Sequence, residues 1–266
     1  MHGVAGLDDH DNWDSLPSLV ERYTAEILEV CSDADVKATF FIVGWIAERY
    51  PHLVAEIVDE GHELGTHSHL HRLVTDLDRD EFTSDLKRSV AAIEFAGGAA
   101  VRGFRAPSFS IRPGTEWALE ALVDLGIEFD ASLYPVSRRS AGYDVPADGH
   151  VFELASGSSI RELPVSVMPL GPLSTRFSGG GYLRLMPMPL IKWGINRLAA
   201  QEQPTVVYLH PRDLAEDVPT AALSPKRRLA ATIGTKRAKK KLVDLLREYS
   251  WSTCGHVVAK ATSDAA

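Results

Sequence analysis

The sequence predicts an α/β protein built on a parallel sheet with crossover helices, folded as a single domain over residues 1–266. Three observations predict it. Short apolar segments rich in β-branched residues alternate with segments of helical period through the first half of the chain. No internal repeat or low-complexity linker divides the 266 residues, a length that suits one large α/β barrel or two small domains. The polar residues of chemical interest (Asp8-Asp9, His67 with His71, Arg105, Asp130 and His210) all follow the ends of predicted strands, the edge where parallel α/β folds build their sites.

The elements follow in order. Val4-Ala5-Gly6-Leu7 reads as a short strand ending at Asp8. A helix entered through Ser15-Leu16-Pro17 carries Leu19, Tyr23, Ile27 and Val30 at helical spacing. Lys37-Ala38-Thr39-Phe40-Phe41-Ile42-Val43, with Val36 before it, is a buried strand by composition. A helix over 46–59 stops at Gly61, a natural C-cap. His62–Thr66 is a third strand and delivers the chain to His67-Ser68-His69-Leu70-His71. Asp78-Arg79-Asp80-Glu81 is a capping-box signature that opens a helix with Phe82, Leu86, Val90 and Ile93 inward. Val101–Arg105 and Ile127–Asp130 are two further strands around a helix from Trp117 to Leu125. From about 136 to 200 Pro and Gly break the pattern, and the alternation is expected to return only at Thr205–Leu209.

Composition excludes several classes. With 45% apolar residues the chain is not disordered. Its 28 Lys and Arg against 36 Asp and Glu give a net charge of -8, which argues against a general nucleic-acid binder. Cys31 and Cys254 make neither a disulfide framework nor a zinc ribbon and read as buried thiols. No apolar run is long enough to span a bilayer. Met1 leads straight to Asp8-Asp9 without a basic or apolar leader, so a cytoplasmic protein is expected.

His67 and His71 lie four apart at a strand mouth, where one helical turn would put both imidazoles on one metal. Alone, an HxxxH pair is a weak signal. A carboxylate from Asp8-Asp9 could complete a His-His-Asp set while its neighbour acts as general base; the bland alternative is an ordinary polar turn. Arg105 could keep such a carboxylate ionised, or make a surface salt bridge. His210, after a very apolar strand, suits a general acid if a carboxylate such as Asp130 tunes it. Gly179-Gly180-Gly181-Tyr182 lacks the Lys-Ser/Thr and the frame of a phosphate loop. It reads instead as a loop bringing backbone donors and Tyr182 to a ligand, or as plain irregular structure. Trp45, Trp193 and Trp251 are read as core.

The order Asp-Asp, HxxxH, Arg-x-Pro, Asp-x-Ser and Leu-His-Pro resembles the polysaccharide deacetylases of the NodB-homology type. Trp13-Asp14-Ser15-Leu16-Pro17, Lys37-Ala38-Thr39-Phe40-Phe41, Glu60-Gly61-His62-Glu63, Phe104-Arg105-Ala106-Pro107-Ser108 and Gly179-Gly180-Gly181-Tyr182-Leu183-Arg184 look like the branch found in exopolysaccharide and exosortase loci. The resemblance runs from about residue 8 to 251 and implies a distorted (β/α) barrel that removes N-acetyl groups from sugars with one divalent metal, usually zinc. It implies His67, His71 and Asp9 as metal ligands and Asp8 as general base, oriented by Arg105. It further implies His210 as general acid paired with Asp130, and Pro107 and Tyr182 as substrate-binding residues. The first motif departs from the family's Thr-Phe-Asp-Asp-Gly, reading Gly6-Leu7-Asp8-Asp9-His10-Asp11, so His10 or Asp11 could stand in. Arg212-Asp213 follows Leu-His-Pro where the family has Trp-Glu. Two other readings stay open: hydrolysis of another linear or cyclic amide, and a glycan-binding barrel without turnover.

One segment breaks the acidic average. Between residues 225 and 247 nine basic residues stand against the single acid Asp244, a local charge of +8 that leaves the rest near -16. A solvated helix face is the plain reading; an anionic membrane surface, a nucleic acid or an acidic polymer are the alternatives. For the active-site face a neutral N-acetylated glycan is expected, and no nucleic acid.

Overall fold

The computed structural model describes residues 13, 18–135, 143, 145–170, 173–216 and 224–263. The first predicted strand, the Asp8-Asp9 pair, His10, Asp11 and the Ser15-Leu16-Pro17 helix entry all lie outside these residues.

From α1 through residue 130 the alternation read from the sequence holds. Helix α1 (Val20–Asp33) buries Tyr23, Ile27, Leu28, Val30 and Cys31, the stripe its spacing predicts. Strand β1 (Thr39–Ile42) follows. The expected helix over 46–59 is two, α2 (Gly44–Arg49) and α3 (Pro51–Asp59). Pro51 has no N–H to continue the first helix and drives Tyr50 out of the helical region, to φ -130 and ψ 60. Strand β2 (Glu63–Thr66) precedes α4 (Arg79–Gly97), whose capping box is formed in both directions: Glu81 N donates to Asp78 Oδ1 (2.8 Å) and Asp78 N to Glu81 Oε2 (3.1 Å). Strand β3 (Gly103–Phe104), helix α5 (Trp117–Asp124) and strand β4 (Phe129–Asp130) complete this half.

The stretch expected to be irregular is more ordered than its Pro and Gly content suggests. It holds an antiparallel pair β5 (His150–Glu153) and β6 (Ser159–Glu162), a hairpin β7 (Val167–Leu170) and β8 (Leu173–Arg176), and helices α6 (Gly180–Leu185) and α7 (Met188–Ala199). The predicted strand 205–209 is instead an extended segment with one parallel bridge, Tyr208 to Gly179. The bridge is not extended because its partner chain turns into α6 at Gly180. Helices α8 (Pro225–Thr232), α9 (Thr235–Glu248) and α10 (Cys254–Ser263) follow.

Six strands form one sheet in the order β1-β2-β3-β4-β6-β5, parallel except for β5. Its register decides where the chemistry falls. Ile42 pairs with Thr66, Thr66 with Phe104, Phe104 with Asp130 and Asp130 with Glu162. The next residues, His67, Arg105 and Ala131, therefore leave the sheet at one level. Gly65 and Gly103 permit this close stacking: a Cβ at Gly65 would come within 2.6 Å of the Phe41 ring and one at Gly103 within 2.2 Å of the Phe129 ring.

Two large apolar bodies and a smaller one, of Phe129, Ala131, Leu163, Val206 and Val258, pack the described residues. The first joins the sheet to α3, α4 and α5 through Val54, Ile57, Leu86, Ile93, Leu119 and Leu122. The second packs α1 against α7 and α9 through Tyr23, Ile27, Ile191, Ile195, Leu242 and Leu245. Cys31 is buried and unpaired, its thiol pushed up to about 11 first by burial, while Cys254 is half-buried. Trp193, expected in the core, is 43% exposed on α7.

His62 carries a testable consequence of this packing. The ring is buried beside β1 and accepts a hydrogen bond on Nδ1 from Ala38 N (3.1 Å), so the folded state holds it neutral. Burial, and then the charge of Lys37, push its pKa down to about 4. The unfolded chain takes up a proton near 6.5 that the folded chain refuses until about 4, so stability falls with pH across that window, by up to about 3 kcal/mol. Denaturant titrations at steps between pH 7 and pH 4 are expected to show a steeper loss for the native chain than for His62→Gln, which keeps the acceptor and cannot titrate.

Candidate active site

The loop from His67 to His71 brings the two predicted imidazoles together, with ring centroids 4.8 Å apart. It does so without the helical turn the spacing suggested. Ser68 and His71 take left-handed backbone, φ 62 and 55, and the loop is pinned from outside. The Ser68 carbonyl accepts from Gly44 N (3.0 Å) and Ser89 Oγ (3.0 Å), and the His69 carbonyl from Trp45 N (3.1 Å). Asp85 accepts from the backbone N–H of His69 (2.6 Å) and Leu70 (3.2 Å). His69 turns away into α2 and α4, buried against Gly44, with Nε2 3.8 Å from Glu48.

His67 is fixed through its ring. Its Nδ1 lies 2.5 Å from the carbonyl oxygen of Arg105. A carbonyl can only accept, so Nδ1 carries the proton and Nε2 is left as the lone-pair nitrogen of a neutral ring. Neutrality is enforced: burial first, then the nearby charge of His71, hold the His67 pKa well below the ordinary range, and His210 and Arg105 act in the same direction against the carbonyl bond. The same influences put His71, His210 and Arg105 around His67 in one site.

Arg105 is buried, its Nε donating to the Ala131 carbonyl (2.9 Å) and its guanidinium stacked over the Phe41 ring at 4.4 Å. Its Nη2 is buried with no hydrogen-bond partner among the described residues. Ser132 Oγ accepts from Ala106 N (2.7 Å) and donates to Asp130 Oδ1 (2.6 Å), fixing the strand end from which Arg105 and the buried Pro107 emerge. Asp130 and its cross-strand neighbour Glu162 are both fully buried, and the carboxyl group of each presses on the other. Burial raises both pKa values above the carboxylate range, Glu162 furthest, since Asp130's charge adds to it. Two adjacent buried carboxyls disfavour double ionisation.

This corrects the expected pairing of Asp130 with His210. The carboxylate on His210 is Asp213, three residues on: its Oδ2 accepts from His210 N (2.9 Å) and lies 3.4 Å from His210 Nδ1. Asp213 is buried and its other oxygen sits 3.2 Å from Arg184 Nε. The bonds to His210 overcome the cost of burial and hold the Asp213 pKa below its usual value. The glycine triplet fits around these groups. A Cβ at Gly180 would come within 1.9 Å of Asp213 Oδ2 and one at Gly179 within 2.5 Å of the Tyr208 ring. Tyr182 is half-buried and lies near enough to Tyr208 to influence its hydroxyl, as do Arg105, Arg176 and Tyr134.

Asp8 and Asp9, the predicted base and third ligand, lie outside the described residues, and among those described no group of three His, Cys, Asp or Glu could hold a metal. Sequence reading missed Asp85, Ser89, Ser132, Glu162 and Asp213. The capping box pointed to the helix bearing Asp85 and Ser89, and Asp213 stands where the resemblance had Glu.

The profile of the polysaccharide deacetylase family matches residues 10–129, and that of a domain of unknown function, DUF3473, matches residues 131–259. Over residues 10–129 the chain belongs to the polysaccharide deacetylase family. The deacetylase profile takes in the His67–His71 loop and Arg105, whereas His210 and Asp213 fall within the second profile. A peptidoglycan-N-acetylglucosamine deacetylase of Bacillus cereus is 31% identical over 100 residues, 37% of this chain and 36% of that protein. A chitooligosaccharide deacetylase of Sinorhizobium fredii is 34% identical over 86 residues, 32% of this chain and 40% of its own length. The chain thus spans little more than a third of these curated relatives. A solved polysaccharide deacetylase from Mycobacterium smegmatis superposes with a TM-score of 0.63 at 22% identity, covering 92% of this chain and 79% of that one. The fold is the distorted (β/α) barrel of these deacetylases.

The fit of Gly180 against Asp213 predicts a contrast between adjacent positions. Gly180→Ala is expected to displace the Asp213 carboxylate and destabilise by about 1–3 kcal/mol. Gly181→Ala, with open space around its Cβ, is expected to be neutral or stabilising by up to about 1 kcal/mol, since alanine favours helix. Melting curves of the two variants decide it.

Proposed function

We propose that this chain removes N-acetyl groups from a glycan by metal-assisted hydrolysis. The observation that carries the reading is the pair of imidazoles at one sheet edge, one with its Nε2 lone pair released by the Arg105 carbonyl, with a third imidazole, held by a buried carboxylate, near enough for its charge to act on His67. His67 and His71 suit a metal: a ligating histidine has its other nitrogen bound to a carbonyl or carboxylate. With Asp9 they would hold one divalent ion, zinc by the nitrogen and oxygen donor set. When bound, that ion polarises the amide carbonyl and eases deprotonation of the attacking water.

The chain's own residues supply the rest. Asp8 takes the proton of the attacking water, and the buried, unpaired Nη2 of Arg105 offers the donor that would keep it ionised and aimed. His210, its Nδ1 facing Asp213, presents Nε2 to the leaving nitrogen and donates a proton there. Asp213 replaces Asp130 in this role; the Asp130–Glu162 pair instead sets the strand end through Ser132. Pro107 and Tyr182 would border the sugar. The sheet runs unbroken from β4 to β6, across the join between the two matched profiles, which supports treating residues 1–266 as one barrel.

Acetate release from N-acetylglucosamine oligomers, with about one zinc per chain by elemental analysis, tests the proposal. A folded, metal-loaded chain that releases no acetate from these oligomers would overturn it, and parallel assays on small linear and cyclic amides separate the broader amidohydrolase reading. The double variant His67→Ala/His71→Ala is expected to lose zinc. Asp85→Ala, which frees the backbone of the loop between the two ligands, is expected to weaken zinc affinity about tenfold or more.

The Asp213 assignment makes a sharper prediction. Asp213→Asn is expected to lower kcat by about 10²-fold or more with KM little changed, because proton donation belongs to the transition state and not to binding. Asp130→Asn, whose amide oxygen can still accept from Ser132, is expected to stay within about tenfold of the native kcat. The reverse ranking would restore Asp130 as the partner of His210.

A further inference from the structure

We propose that the turn between α8 and α9, together with the end of α6, is a docking surface for an anionic lipid bilayer. Leu185, Leu229 and Ile233 are 59%, 62% and 41% exposed. They sit together. The Arg184 carbonyl lies so close to Gly234 that a Cβ there would come within 2.3 Å of it, and Lys241 on α9 donates to the carbonyls of Leu183 and Met186 (both 2.8 Å). The end of α6 is thereby held against the turn that Leu229 and Ile233 flank, one helical turn apart.

Lys226, Arg228, Lys236 and Arg237 stand exposed around this turn with no ion pair among the described residues, whereas Lys239 is met by Glu26 and Glu29 and Lys240 by Asp244. Large aliphatic side chains projecting among unpaired cations match the chemistry of a membrane interface: the cations meet anionic headgroups and the aliphatics enter the acyl boundary. A nucleic acid would reward the cations and gain nothing from Leu229 or Ile233. An ordinary solvated face would not gather three exposed aliphatics in one place.

The location adds a consequence that rests on the deacetylase reading. Arg184 meets Asp213 through its side chain and Gly234 through its carbonyl, so the patch adjoins the group that orients His210. A chain docked here holds its proposed site beside the bilayer, where a glycan carried on a lipid would lie.

The test is flotation of the full chain with vesicles of phosphatidylcholine alone or mixed with phosphatidylglycerol, at low and high salt. Binding to the mixed vesicles is expected to exceed binding to the neutral ones by about tenfold or more and to fall with salt. Lys226→Glu/Lys236→Glu/Arg237→Glu and, separately, Leu229→Asp/Ile233→Asp are each expected to reduce it by a similar factor, with native circular dichroism. Equal binding to the two vesicle types, insensitivity to both variants, or tight binding of a duplex oligonucleotide that only the charge reversals weaken would overturn the proposal. Acetate release from a soluble oligosaccharide by Leu229→Asp/Ile233→Asp keeps the two readings apart: the apolar variant is expected to retain it, and its absence from the native chain as well would count against the deacetylase reading alone.

Discussion

The site depends on one hydrogen bond, from Nδ1 of His67 to the carbonyl oxygen of Arg105. Both residues follow the last paired positions of neighbouring strands, so the bond is possible only because Thr66 and Phe104 are in register. A slip of one residue would turn each side chain to the opposite face of the sheet and separate the imidazole from the carbonyl. The bond sets the tautomer, and burial keeps the ring neutral, which is the form a metal requires. Sheet register, close stacking over Gly65 and Gly103, and ligand chemistry are thus one constraint.

Charge at this edge is arranged so that little of it is left unopposed. Arg105 brings a permanent cation into the interior, and burial raises the pKa values of the nearby sheet carboxyls Asp130 and Glu162, that of Glu162 further because of Asp130's charge. Neither makes an ion pair with the guanidinium among the described residues. Arg105 is stabilised by the Ala131 carbonyl and the faces of Phe41, Phe109 and Tyr208, with Nη2 left for a further acceptor. On the other side Asp213 remains ionised because His210 and Arg184 both bear on it. Two carboxyl environments a short way apart are pushed in opposite directions, the usual means by which a site separates positioning groups from those that handle protons.

Much of this was legible in the sequence, and the failures have physical causes. Strands β1 to β4, α4 with its capping box, and the sheet edge that leads into His67 and Arg105 follow from composition and period, because local propensity and burial agree there. The pairing of Asp130 with His210 failed because a carboxylate at a strand end looks available until its cross-strand neighbour is known, and Glu162 lies 32 positions away in a stretch with no clear period. Asp213 was passed over as part of a divergent motif although it sits within one turn of His210. The Gly179-Gly180-Gly181 run gave no sign that its first two members were shaped by Tyr208 and Asp213, because a close approach is invisible until the approaching side chain is placed.

The same reasoning joins the two features that looked unrelated in the sequence, the Leu-His-Pro motif and the basic segment beyond it. Arg184 touches both: its guanidinium meets the carboxylate that orients His210, and its carbonyl packs on the left-handed Gly234 that starts α9. Gly234 is at φ 76 with no room for a side chain, so the turn cannot shift without moving Arg184. The six-residue α6 is too short to be stable alone and owes its position to these contacts and to Lys241 on its terminal carbonyls. Arg184 is therefore one link between α9 and Asp213, beside the core in which Leu214 and Ala215 pack with Ala238, Leu242 and Leu245. The His210 end of the site thus adjoins the α8–α9 surface through Arg184, while the His67–His71 loop is pinned by Asp85, Ser89 and α2.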